Sequence, residues 1–375
     1  MSASGTKRTC AAKDCCRANW FADPISPVAN PCCNQPVSGV LQSLGAAMRR
    51  RDFIKLVGGS AVTWPLAARA QQRAFPVVGL LSSRSPAVDT PLIAVIRQGL
   101  NEAGFVEGQN LALDYRWADG QYDRLVGLAA DLVRQQVAVI VTMGGDTTAL
   151  AAKAATATIP IVFAGGADPL RMGLVTSLQR PGGNITGSST LLVEMEAKRL
   201  GLLRELRPHA TTTVVLMNPG NISFAEIQAS DVQTAAHSIG EEITVLNAST
   251  IREIDQAFAK LVQMHADALL VGTDPFFFAH AAQLVVLAVR HVIPTVYFRR
   301  EFAVAGGLMS YGANSNESYR LLGVYAARIL KGEKPGDLPI QLPTKYELVI
   351  NVSTARVLGV EIPPTLLARA DELIE

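Results

Sequence analysis

No cysteine occurs after residue 33 of this 375-residue chain. Cys10, Cys15, Cys16, Cys32 and Cys33 crowd its N-terminal end, whereas a zinc site calls for C-x-x-C spacing with histidines at hand. The first of five histidines is His209. The spacing argues against a metal centre, and the body of the chain has neither a disulfide framework nor a cysteine nucleophile. After residue 70 there is no G-x-G-x-x-G, no G-x-x-x-x-G-K-[ST], no H-E-x-x-H and no G-x-S-x-G. The sequence thus offers no dinucleotide loop, P-loop, zinc-protease helix or nucleophile elbow. No cofactor, metal or catalytic residue is expected. Charge is also sparse, at 18% of residues. The first 70 residues hold nine Lys/Arg and three Asp/Glu, and the remainder holds 25 and 29. That mildly acidic body has no electrostatic footprint for nucleic acid or an anionic membrane.

What is present begins with a three-part export signal. Arg49 to Arg51 are basic, Leu56 to Ala68 are moderately apolar, and Ala68-Arg69-Ala70 is a small-x-small cleavage site. The apolar run falls short of the ~20 residues that a spanning helix needs. Arg50-Arg51-Asp52-Phe53-Ile54-Lys55 also resembles the twin-arginine motif R-R-x-F-[LI]-K. Residues 1–47 show no helix or strand period, so translation is expected to start at Met48. Cleavage is expected after Ala70, with a periplasmic mature protein. An amphipathic N-terminal helix is the competing reading of the segment.

From about residue 71, apolar runs alternate with helical patterns. Phe75–Ser82, Val137–Thr142 and Pro160–Ala164 read as strands buried on both faces. Leu111–Trp117 alternates as an outer strand does. Leu92, Val95, Ile96, Gly99 and Leu100 form one stripe of a helix over 88–103, closed by Gly104. The pattern restarts after Gly187. Strands are expected at 213–217, 242–246, 268–272 and 294–298, with helices near 191–207, 223–238, 251–265 and 276–291. Thr158–Phe163 and Val292–Phe298 echo each other. The expected fold is α/β, with two doubly wound Rossmann-like lobes.

In open parallel sheets, ligands bind beyond the carboxyl ends of the strands. Those ends carry Ser82 and Ser83, Gly145, Thr147 and Thr148, Asp168, Asn218 and Asp274. They are expected to face one cleft between the lobes, with Tyr311 completing the ring. Ordinary βα turn chemistry favours the same residue types. Asp168, which precedes a proline, fits a turn equally well. The serines and threonines suit an anionic group, and Asp274 suits an ammonium. Of Phe276, Phe277 and Phe278, at least one ring is expected to enter the core.

Several stretches resemble the ABC-type substrate-binding proteins of the tryptophan/tyrosine type, within the type I periplasmic-binding fold. They are Gly104–Asn110, Ala149–Phe163, Asp168–Gly187 (DPLRMGLVTSLQRPGGNITG), Lys345–Gly359, Ile362–Pro364 and Leu366–Ala370. The resemblance spans 75–375. It implies two lobes, about 75–187 with 312–340 and about 188–311 with part of the tail. They would close on a small polar solute, an amino acid or related aromatic compound first, and deliver it to an inner-membrane permease. A monomer is expected. Crossings between lobes are expected near 187–190, 311–314 and 332–342. Asp146 departs from the small or neutral residue expected there. If it capped the helix that follows, it would weaken that helix end as a carboxylate site. A sensory module for a membrane receptor has the same sequence features, and an enzyme on a doubly wound fold is the rival class.

Overall fold

The computed structural model describes residues 75–375. The expected export signal and cleavage site, and the cysteine pairs, lie outside the described residues. The chain first builds β1 (Val77–Ser82), α1 (Pro86–Glu102), β2 (Ala112–Trp117), α2 (Arg124–Arg134), β3 (Val139–Met143), α3 (Asp146–Ala155), β4 (Ile161–Gly165) and β5 (Ile185–Ser189). The five strands form one parallel sheet in the order β2-β1-β3-β4-β5. β3 and β4 are buried along their whole length, as helices on both faces require. β2 is half-buried throughout at the sheet edge, with Tyr115 stacked on Trp117 at 5.9 Å.

A second unit of the same kind follows. It comprises α4 (Glu196–Leu206), β6 (Thr213–Met217), α5 (Ile222–Ser238), β7 (Ile243–Asn247), α6 (Ile251–Gln263) and β8 (Ala268–Val271). Then come α7 (Pro275–Ala279), α8 (Ala281–Arg290), β9 (Thr295–Tyr297), α9 (Arg300–Val304) and β10 (Met309–Ala313). The tail adds β11 (Tyr346–Asn351) and β12 (Glu372–Ile374), completing a seven-stranded sheet ordered β12-β11-β10-β9-β8-β6-β7. Only the β10–β11 pairing is antiparallel. Successive strand residues point to opposite faces. Val214, Leu216, Leu269 and Val271 therefore join one core layer, and Val215, Met217, Leu270 and Val296 the other. The expected helix over 276–291 is two helices, because the chain leaves helical geometry at His280. The echo between the halves has a shared role. Pro160 and Pro294 each open a strand and accept from the neighbouring strand, at 2.8 Å from Ile140 and 2.9 Å from Leu269.

The chain crosses between the sheets three times: through 190–195, at Asn314, and through 342–345. The last crossing starts only at the end of the expected 332–342 stretch. Ile340 and Gln341 are still bonded to Leu178 and Gly187 of the first lobe. After the second crossing, α10 (Ser315–Leu330) returns to the first lobe. It buries Tyr319, Leu322 and Tyr325 in the same layer as Val78, Leu80 and Ile96. α1 and α10 meet through paired glycines. A Cβ on Gly99 would sit 2.1 Å from the Arg320 carbonyl oxygen, and one on Gly323 2.1 Å from that of Ile96. Only glycine permits that approach.

Candidate ligand-binding cleft

The carboxyl ends of β1, β3 and β4 face those of β8 and β9 across one cavity. Its space is about 590 Å³ with open solvent at the mouth included. Much of the wall is apolar, with Ala164, Leu192, Phe224, Pro275, Phe278 and Phe298. Arg84 and Asp146 reach it from the first lobe, Asp274 and Arg299 from the second.

The turn from β3 into α3 sets the first lobe's wall. Gly144 and Gly145 have φ of 77° and 94°, a conformation that disfavours side chains. A Cβ on Gly145 would also lie 3.1 Å from Pro275 Cγ of the other lobe. Asp146 opens α3 but does not cap it with its side chain. Its Oδ2 instead accepts from the amides of Gly166 (2.9 Å) and Ala167 (3.2 Å) in the turn after β4. Its Oδ1 is buried with no hydrogen-bond partner among the described residues. Burial pushes the carboxyl up to about 7, against the pull of those amides.

Asp274 is in a different state, saturated by donors. It accepts from Asn218 (2.9 Å), Asn221 (2.8 Å), the Phe276 amide (2.8 Å) and the Tyr122 hydroxyl (3.1 and 3.3 Å). It caps α7, where Pro275 occupies the first turn. Burial outweighs the donors and raises its carboxyl above the usual range. Tyr122 belongs to the first lobe, so this bond spans the cleft. Thr147–Asn221 spans it too, as does the paired bond from Arg171 to Asp231 at 2.7 and 3.0 Å. The lobes are closed on each other.

Two guanidinium groups press on one ring. Arg299 lies 4.1 Å and Arg84 5.6 Å from the Phe278 centroid. Arg84 is engaged by Asp89 and the Tyr319 hydroxyl. Arg299 bonds Glu301 through one terminal nitrogen (2.8 Å), and its Nε is buried without an acceptor among the described residues. Beneath the cavity, Arg199 reaches the Leu192 carbonyl (2.7 Å), the Thr273 hydroxyl (2.8 Å) and the Tyr311 carbonyl (3.3 Å). It ties the first crossing to the strand that leads into the second.

Among the residues expected at the site, Gly145 and Asp274 line the cavity. The others are placed beside it or engaged elsewhere. Ser82 donates to Asp89 at 2.5 Å, Ser83 to the Gly144 carbonyl at 2.7 Å, and Thr148 to that carbonyl at 3.4 Å. Thr147 is spent on Asn221, and Asn218 on Asp274. Asp168 accepts from the Leu170 amide at 2.8 Å, which is a turn role. Tyr311 stacks on Tyr346 at 5.9 Å. Phe277 enters the core, while Phe278 faces the cavity. Sequence reasoning missed Arg84, Arg299, Phe224 and Tyr319. The strand-end rule reaches Arg299 when applied to β9, and Arg84 one residue past Ser83.

Residues 86–374 match the family described as ABC transporter substrate binding protein. The chain belongs to that family. A tyrosine-binding protein of Clostridioides difficile (strain R20291) is 27% identical over 281 residues, covering 74% of this chain and 80% of the relative. A conserved domain protein from Vibrio cholerae shares 27% identity with a TM-score of 0.71, over 80% of this chain and all of that one. An ABC domain from Streptococcus pneumonia in complex with L-Trp gives 23% identity and a TM-score of 0.70, over 80% and 100%. The two-lobed architecture is the type I periplasmic-binding fold. This substrate-binding protein is therefore a solute receptor, and no helix among its described residues is long and apolar enough to cross a membrane.

Proposed function

We propose that this substrate-binding protein captures an amino acid or related aromatic solute outside the cytoplasm and delivers it to an inner-membrane ABC permease. The observation that carries the reading is a largely apolar cavity between the strand ends of two lobes, with charged groups at its wall. The tyrosine-binding relative and the L-Trp complex of the structural neighbour support the ligand class. Ligand exchange requires the lobes to part, and the three crossings are the hinge. A ligand that touches both lobes favours the closed state, because only that state supplies both sets of contacts. The export signal at 48–70 supports the location.

A thermal-shift screen against amino acids, aromatic acids, peptides and sugars tests this. A ligand at ~100 times its dissociation constant adds ~2.7 kcal/mol of stability. A shift confined to amino acids or aromatic acids is expected. A shift with sugars alone, or none with any class, counts against the reading.

A further inference from the structure

We propose that Asp146 Oδ1 and Arg299 Nε are the two poles of a receptor for a zwitterion, the ligand's ammonium donating to Asp146 in one lobe and its carboxylate accepting from Arg299 in the other. The inference rests on the solute-binding reading and names the ligand's charge pattern and its partners.

Two atoms of residues that line the cavity carry it. Asp146 Oδ1 and Arg299 Nε are both buried and lack a hydrogen-bond partner among the described residues. Both residues are at least nine-tenths buried, at 2% and 5% exposure. Buried polar groups in native proteins are nearly always bonded, so each such exception requires a reason. A ligand that bonds them supplies one. The neighbouring charges are already engaged. Asp274 is saturated by four residues, and Arg84 is held by Asp89 and Tyr319. Asp274 is therefore not the ammonium partner that its strand-end position suggested.

Asp146 is also built into place. Its Oδ2 is fixed by two backbone amides. A Cβ on Gly165 would lie 2.4 Å from Oδ1, so the glycine leaves the space that this oxygen occupies. Arg299 is fixed by Glu301 and by the Phe278 ring. An anion on one lobe and a cation on the other, with apolar wall between, fit a ligand with a charged head and an apolar body. They do not fit a sugar, which needs polar partners around its whole ring.

The charge pattern can be tested without any variant. Wild-type protein is titrated calorimetrically with L-tyrosine, L-tryptophan and L-phenylalanine. Each is paired with the acid that lacks its amino group and the amine that lacks its carboxylate. A buried charged hydrogen bond corresponds to about tenfold to over a hundredfold in affinity. The amino acid should therefore bind more tightly than both partners by that factor. Asp146→Asn should weaken the amino acid tenfold or more and leave the deaminated acid unchanged. Arg299→Gln should weaken the amino acid and leave the amine unchanged. If the deaminated acid binds as tightly as the amino acid, or if Asp146→Asn binds the amino acid like wild type, the zwitterion assignment is wrong while solute binding stands. If none of the three sets binds and a sugar shifts the melting temperature, the assignment and the proposed ligand class fall together.

Discussion

Asp274 separates two explanations of an acidic residue at a strand end. As a ligand contact, its loss would reduce affinity and leave the ligand-free protein as stable as before. In this structure it is bonded by Asn218, Asn221, Tyr122 and the Phe276 amide. Asp274→Ala removes a helix cap, at a cost of about 0.5–2 kcal/mol. It also strands the side-chain amide of Asn218, buried at 3% exposure, at about 1–3 kcal/mol. Asn221, also buried, loses the same acceptor for its side-chain amide. One effect opposes these. The carboxyl is raised above its ordinary value by burial, so removing the charge recovers part of a desolvation cost. Because the residue caps, bonds and bridges at once, the losses win. A net destabilisation of about 2–4 kcal/mol is expected. Asp274→Asn keeps an acceptor for the Phe276 amide and loses the charge, so it should cost less than Asp274→Ala.

The assay is chemical denaturation of ligand-free wild type, Asp274→Asn and Asp274→Ala, followed by circular dichroism, with calorimetric titration alongside. The expected order of stability is wild type, then Asn, then Ala. An Asp274→Ala protein as stable as wild type but unable to bind would refute this reasoning and return Asp274 to the ligand.

Other perturbations isolate single features. Tyr122→Phe removes a hydroxyl that meets Asp274 only when the lobes are closed. Such a bond contributes about 1.5–3 kcal/mol, so apparent affinity should fall about tenfold to a hundredfold by calorimetry, and equal affinities would mean that this bond does not hold the closed state. Gly323→Ala gains at most about 1 kcal/mol of helix propensity but drives a methyl into the Ile96 carbonyl. Overpacking of about 1–3 kcal/mol or more should win, whereas Gly201→Ala, in α4 with nothing within 4 Å, should be neutral or stabilising in the same unfolding assay. Asp146 has a folded-state value of about 7 against 3.8 unfolded, so the unfolded chain ionises first and wild-type stability should fall between about pH 4 and 7. Glu194 is raised by burial in the same way, and Arg84, Arg299 and Asp274 share the cavity. Asp146→Asn removes the Asp146 contribution, on the order of 4 kcal/mol, so its advantage over wild type in urea should be larger at pH 8 than at pH 5. An equal difference at both would show that Asp146 does not titrate there.

Legibility in the sequence followed burial. β1, β3, β4, β6, β8 and β9 are apolar runs because both faces of each sheet are covered, and the expected positions fall within a few residues of the observed ones. β5 reads Ile-Thr-Gly-Ser-Ser, too polar to announce a strand, yet it is wholly buried. Its Thr186 and Ser189 hydroxyls bond carbonyls of Leu338 and Ala167. The tail strands and α10 were invisible for another reason, since their partners lie far away in sequence. The strand-end rule correctly drew attention to the region of the cleft. It could not tell which polar atoms point into the cavity and which are consumed at home. Ser82 and Arg84 are two residues apart, and only the arrival of Asp89 from α1 and Tyr319 from α10 decides that the serine turns inward and the arginine forms the wall.

The two unpartnered atoms at the wall also bear on closure. In the closed arrangement Asp146 Oδ1 and Arg299 Nε are buried without partners among the described residues, and an unsatisfied buried polar atom costs about 1–3 kcal/mol. Opening gives up Tyr122–Asp274, Thr147–Asn221 and Arg171–Asp231. Arg171–Asp231 is partly exposed, at 44% and 30%, and such pairs contribute about 0–1 kcal/mol. A zwitterion bound between the lobes turns both penalties into charged hydrogen bonds. A neutral analogue of the same shape leaves them in place. The charges at the wall thus act as a selectivity device as well as a source of affinity, since a ligand lacking either pole fills the cavity without relieving the cost of shutting it.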